Sequence, residues 1–103
     1  PRLPEAARPG TILPDAPLGA GWLSATLGGG FALLAMGQEA PLVAGLRVVD
    51  LSPRNPAIRT RLLGQATRAL YLVRPDQVVA ARWVEASALR INDAWRDARE
   101  GWT

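Results

Sequence analysis

The segment "LYLVRPDQVVAARWVEASALR", residues 70–90, decides the fold of the C-terminal half of the chain. Its two apolar runs are rich in β-branched residues and flank the dipeptide Pro75–Asp76, which is typical of a turn between antiparallel strands. Proline presets the backbone of the second turn position, and aspartate suits the third position. We therefore predict a β-hairpin with strands over residues 69–74 and 77–83.

The residue after the turn, Gln77, is predicted to take the left-handed backbone conformation that lets such a turn join two twisted strands. A non-glycine residue costs about 1–2 kcal/mol in that conformation. We therefore expect the substitution Gln77→Gly to stabilise the chain by about 0.5–1 kcal/mol.

A helix over about residues 86–100 is predicted directly after the hairpin. Its apolar residues recur at steps of three and four, so that they share one face; they are Ala88, Ile91, Trp95, Ala98 and Trp102. This face is predicted to lie on the sheet and to bury Ile91 and Trp95.

Two more strands are predicted upstream, at residues 31–37, a continuous apolar run, and at 46–51, a run rich in β-branched residues. One or two helical turns between them make a short β-α-β unit with parallel strands. A helix is predicted around 56–63, and a short helical turn closed by Gly28 is predicted within "GWLSATLGGG", residues 21–30. From the strand at 31–37 onward the order is β-α-β-α-β-β-α, which predicts an α/β domain with a central mixed four-stranded sheet and a C-terminal helix packed on it.

The first 21 residues are rich in Pro, Gly and Ala, and they predict an extended lead-in over residues 1–21 before a single domain over residues 22–103. The chain begins at Pro1 without a methionine, which we interpret as a piece of a longer protein. No apolar run approaches the roughly 20 residues that cross a bilayer, and a signal peptide's apolar segment is missing. We expect a cytoplasmic protein with no membrane role.

The composition excludes much enzyme chemistry. The 103 residues contain no cysteine and no histidine, which removes thiolate nucleophiles, disulfide exchange, the usual general base and the commonest metal ligand. All twelve basic residues are arginine, yet the net charge is only +3. We predict no catalytic, cofactor-binding or metal-binding residue in this chain.

Three groups of residues are candidates for sites. The glycines of "GAGWLS" and "GGGF" are interpreted as turns and helix ends rather than a phosphate-binding loop, because a dinucleotide fingerprint would follow a strand. The arginines are interpreted as a dispersed surface without a nucleic-acid partner; those considered are Arg54, Arg59, Arg61 and Arg68. The carboxylates are assigned to turns, strand ends and a helix surface; they are Asp15, Asp50, Asp76, Asp93 and Asp97.

The aromatic residues offer a different possibility. Four tryptophans are many for so small a domain, and large aromatic side chains are enriched in protein interfaces. Trp83 and Trp102 lie near the ends of predicted elements, where an interface could use them.

The predicted element order is that of the thioredoxin fold, although the chain lacks the cysteines of its redox members. Three blocks, "RPGTILPDAPL", "GGGFALLAMG" and "LYLVRPDQVVAARW", resemble the thioredoxin-like C-terminal domain of FAD-dependent aromatic hydroxylases. These are flavoprotein monooxygenases of the phenol hydroxylase and 3-(3-hydroxyphenyl)propionate hydroxylase group. The chain departs from that family at Gln77, where relatives commonly have glycine, and in the short segment after "FALLAMG".

The resemblance implies a parent enzyme that binds FAD, uses NAD(P)H and O2, and hydroxylates an aromatic ring with N-terminal FAD and substrate domains. It implies for this chain a non-catalytic role, in packing on those domains or in a homodimer contact. The alternative from the residues alone is a stand-alone thioredoxin-like module that binds a protein partner without redox activity.

Overall fold

The computed structural model describes residues 2–102, so Pro1 and Thr103, the outer ends of the predicted lead-in and domain, lie outside the described residues. Among the described residues, no helix combines the length and the apolar character that crossing a bilayer requires. The elements in chain order are β1 (Pro17–Leu18), β2 (Gly21–Trp22), α1 (Leu23–Leu27), β3 (Ala32–Met36), β4 (Arg47–Leu51), α2 (Pro56–Ile58), β5 (Ala69–Val73), β6 (Val79–Trp83) and α3 (Ala88–Glu100).

Four strands form one mixed sheet in the order β4-β3-β5-β6. β3 pairs with β4 in parallel and with β5 antiparallel, and β5 pairs with β6 antiparallel. The predicted mixed four-stranded sheet and C-terminal helix of an α/β fold are thereby confirmed.

The two central strands, β3 and β5, are buried along their whole length because both faces of the sheet are covered. Successive side chains of a strand point to opposite faces. Leu34 and Met36 join the core under α1, α2 and the N-terminal segment, on what we call the lead-in face. Leu33 and Ala35 join the core under α3, on the α3 face. The continuous apolar run at 31–37 is therefore confirmed as a doubly buried strand.

The predicted helical turns between β3 and β4 are wrong. Residues 37–46 form an irregular loop, closed by a turn in which the amide of Leu46 donates to the carbonyl of Val43 at 3.1 Å. Proline at position 41 and glycines at both ends of the segment disfavour a helix, and so short a helix has too few hydrogen bonds to offset its nucleation. The parallel strands are thus joined by a loop, and the order from β3 is β-β-α-β-β-α.

The helix predicted at 56–63 is confirmed in its extent, but its second half has π geometry. Asn55 caps the start by accepting hydrogen bonds from the next helical amides, and Pro56 occupies the first turn. Residues 59–63 form a π turn, ended by Gly64, whose amide donates to the carbonyl of Arg59 at 2.7 Å. The glycine has φ 59°, a conformation that favours glycine.

The C-terminal helix α3 covers the α3 face of the sheet. Ser87 caps it by accepting a hydrogen bond from the amide of Arg90, so the helix begins two residues later than predicted. Ile91 is fully buried and Trp95 is 8% exposed. The predicted burial of these two side chains is confirmed.

The hairpin turn forms as predicted. The amide of Gln77 donates to the carbonyl of Arg74 at 2.8 Å, so Pro75 and Asp76 occupy the two central turn positions. Gln77 has φ 68°, the left-handed conformation predicted for it. Its side chain also donates from Nε2 to the Ser24 carbonyl at 3.1 Å, a contact that the sequence did not predict.

The N-terminal segment, which was predicted as an extended lead-in, packs on the sheet and joins its core. Residues 10–13 run antiparallel to the start of β6, with hydrogen bonds that join the amide of Val79 to Thr11 and the amide of Gly10 to Val79. Three of its residues belong to the core of the lead-in face; they are Ala7, Leu13 and Ala16. The segment therefore covers one edge of the sheet and contributes to stability.

Candidate functional site

Two large apolar side chains are exposed where the loop at residues 37–46 meets the first turn of α3. The loop replaces a helix, so α3 is the single helix that packs on the α3 face among the described residues. Two leucines lie at the surface there: Leu42 is 92% exposed and Leu89 is 70% exposed.

The start of the loop is fixed by a close backbone approach at Gly37, which has φ 70°. A Cβ atom at this position would lie 2.3 Å from the Thr67 carbonyl oxygen, so the space admits only glycine. The next side chain, Gln38, donates from Nε2 to the Val84 carbonyl at 2.6 Å. These contacts tie the start of the loop to the residues before β5 and after β6.

The end of the loop rests on Trp95. A Cβ atom at Gly45, where φ is 83°, would lie 3.1 Å from Cη2 of the indole. The guanidinium carbon of Arg99 stands 3.9 Å from the centroid of the Trp95 ring, within the range of a cation–π interaction. The tryptophan therefore connects the helix and the loop that form the surface.

The surface itself is a shallow groove of about 270 Å3, which we call the Leu42–Leu89 groove. Five of its six lining residues are apolar, and Asn92 is the polar one. Burying a leucine side chain contributes about 1.5–3 kcal/mol, so covering both leucines contributes about 3–6 kcal/mol at most. Because association of two separate molecules costs about 4–15 kcal/mol, the groove alone cannot hold a separate partner tightly.

A second groove, of about 440 Å3, lies between β6 and the C-terminal end of α3. Its charged residues are Arg74 and Asp97, and the rest of its lining is small or apolar. The Arg74 guanidinium is engaged by Asp76 at 2.6 Å and stands 5.0 Å from the ring of Trp102, which also meets Phe31 edge-on. The Arg74 guanidinium is therefore held by the carboxylate of the hairpin turn and by the Trp102 ring.

Three of the aspartates that were assigned to turns, strand ends and a helix surface have partners in the structure. Asp15 accepts hydrogen bonds from the hydroxyl and amide of Ser24 at 2.6 and 2.9 Å, and the hydroxyl bond lowers the pKa of its carboxyl. Asp76 pairs with Arg74 at the hairpin turn, and Asp93 pairs with a helix neighbour, Arg96, at 3.2 Å. No group of three acidic, histidine or cysteine side chains that could hold a metal ion occurs in residues 2–102.

The glycine-rich segments do not fit the phosphates of a flavin or nicotinamide cofactor. The segment "GAGWLS" spans the turn between β1 and β2 and the start of α1, while Gly28 ends α1 with φ 64°. α1 has five residues and follows a two-residue strand, whereas a dinucleotide site needs a buried strand that leads into a long helix. Turn and helix-end roles account for these glycines.

Two of the four arginines considered as a surface group, Arg59 and Arg68, make separate contacts. Arg59 donates to the carbonyls of Pro53, Gly64 and Ala66 at 3.2–3.4 Å. It therefore connects the segment before α2 with the residues after the π turn. Arg68 pairs with Glu85 at 2.8 Å.

The tryptophans divide between core and surface. Trp83 packs against the core of the α3 face, while Trp102 is 38% exposed and Trp22 is 54% exposed. Tyr71 is fully buried, its hydroxyl donates to the Leu62 carbonyl at 2.6 Å, and burial raises the pKa of the phenol. The tyrosine is therefore a core residue.

The sequence analysis did not single out Leu42 or Leu89. The two are 47 positions apart, so no motif connects them. The available signal was the position of Leu89, next to Ala88 but outside the apolar stripe that continues through Ile91. A leucine outside the core stripe of an amphipathic helix is a candidate contact residue.

Comparison with known proteins gives no match: no family model, no curated protein and no solved structure is similar to this chain at a significant level.

Proposed function

We propose that this chain is the thioredoxin-like, non-catalytic C-terminal domain of a FAD-dependent aromatic-ring monooxygenase, with a structural or subunit-contact role. The observation that carries the proposal is the strand order β4-β3-β5-β6, with one parallel pair followed by an antiparallel hairpin and a terminal helix. This is the strand order of the thioredoxin fold, and it accords with the three sequence blocks that resemble the hydroxylase domain.

The proposed fold carries no redox chemistry here because the chain has no cysteine. The helix that normally connects the first two strands of a thioredoxin fold is replaced by the loop at residues 37–46. In the proposed parent, FAD, NAD(P)H and the aromatic substrate bind to N-terminal domains in the cytoplasm. The 103-residue chain itself is proposed to be inactive and to act through its surface.

Two measurements test the proposal. The reading frame upstream of Pro1 is expected to encode several hundred residues with a dinucleotide fingerprint, and a start codon directly before Pro1 would overturn the proposal. The purified chain is expected to be colourless and to leave the absorption spectrum of added FAD unchanged, because no phosphate-binding loop precedes a long helix. A stoichiometric yellow complex would contradict it.

The second candidate, a stand-alone protein-interaction module, is favoured by one observation, the exposure of two large apolar side chains in the Leu42–Leu89 groove. A module of this kind would form a stable complex from separate molecules. Sedimentation velocity of the endogenous protein separates the candidates, because a stand-alone module would sediment as a chain of 11.0 kDa or as its complex. The hydroxylase domain would sediment as part of a much larger polypeptide.

A further inference from the structure

We draw no further inference here: the strongest candidate, the apolar surface patch formed by Leu42 and Leu89 between the loop at residues 37–46 and the first turn of α3, carries none because nothing in the structure shows what covers it.

Discussion

Gly37→Ala is predicted to be one of the most damaging single-methyl substitutions in this chain. The new Cβ atom would lie 2.3 Å from the Thr67 carbonyl oxygen, far inside van der Waals contact. The obstacle is backbone that leads directly into β5, a strand buried along its whole length, so it cannot move cheaply. Position 37 also has φ 70°, where a side chain adds strain.

The magnitude follows from three contributions. The left-handed backbone costs about 1–2 kcal/mol for alanine, and forcing atoms into a packed site costs about 1–3 kcal/mol. The less flexible unfolded chain returns about 0.5–1 kcal/mol. The net loss is about 1–4 kcal/mol, which for a domain near 100 residues lowers the melting temperature by roughly 4–30 °C.

Gly19→Ala is the matched control, because Gly19 also has positive φ, 55°, but no atom lies within 4 Å of the place that an alanine Cβ would occupy there. Urea denaturation followed by tryptophan fluorescence is the assay for both variants. The difference between their free energies of unfolding isolates the clash with Thr67. If the two variants lose the same stability, residue 37 does not pack against that carbonyl and the placement of the loop is wrong.

Three further predictions use the same assay. Trp95→Ala is expected to cost about 3–5 kcal/mol. Gln77→Gly is expected to change stability by less than about 1 kcal/mol, because relief of strain is offset by the lost hydrogen bond to Ser24, worth about 0.5–1.5 kcal/mol; a clear stabilisation would show that this bond contributes nothing. Asp15 has a lowered pKa when folded, so its contribution is present above the ordinary value of 3.8 and is lost as pH falls through the folded value. Asp15→Asn is expected to weaken the acid dependence of stability, and an unchanged pH profile would contradict this.

The hairpin and the C-terminal helix were predictable because local chemistry determines them. Proline and aspartate specify the turn, and the residue after it must take positive φ to match the strand twist, which Gln77 does with φ 68°. The three- and four-residue spacing of apolar side chains identified Ile91 and Trp95 as core residues. Both features depend on residues close together in the chain.

The helical turns predicted between β3 and β4 were wrong and the packing of the N-terminal segment was not predicted, because contacts with distant residues determine both. Gly37 at the start of the loop contacts the Thr67 carbonyl, 30 positions away in the chain. Gly45 near its end contacts the Trp95 ring, 50 positions away. The N-terminal segment pairs with β6 through hydrogen bonds at Val79. That β6 is an edge strand cannot be known before the strand order is known. The prediction of Gln77→Gly as stabilising omitted the Ser24 contact for the same reason.

Several arginines bind main-chain carbonyls of this chain instead of carboxylates. Irregular segments leave main-chain carbonyls without helix or sheet partners, and a guanidinium group can donate to several of them at once. Arg59 donates to three carbonyls around the α2 segment, Arg47 to two at the end of α1, and Arg82 to that of Pro4. Arg47 and Arg82 thereby join segments that are distant in the chain, while Arg59 holds the flanks of its own helical segment. These three guanidinium groups are thus engaged within the fold.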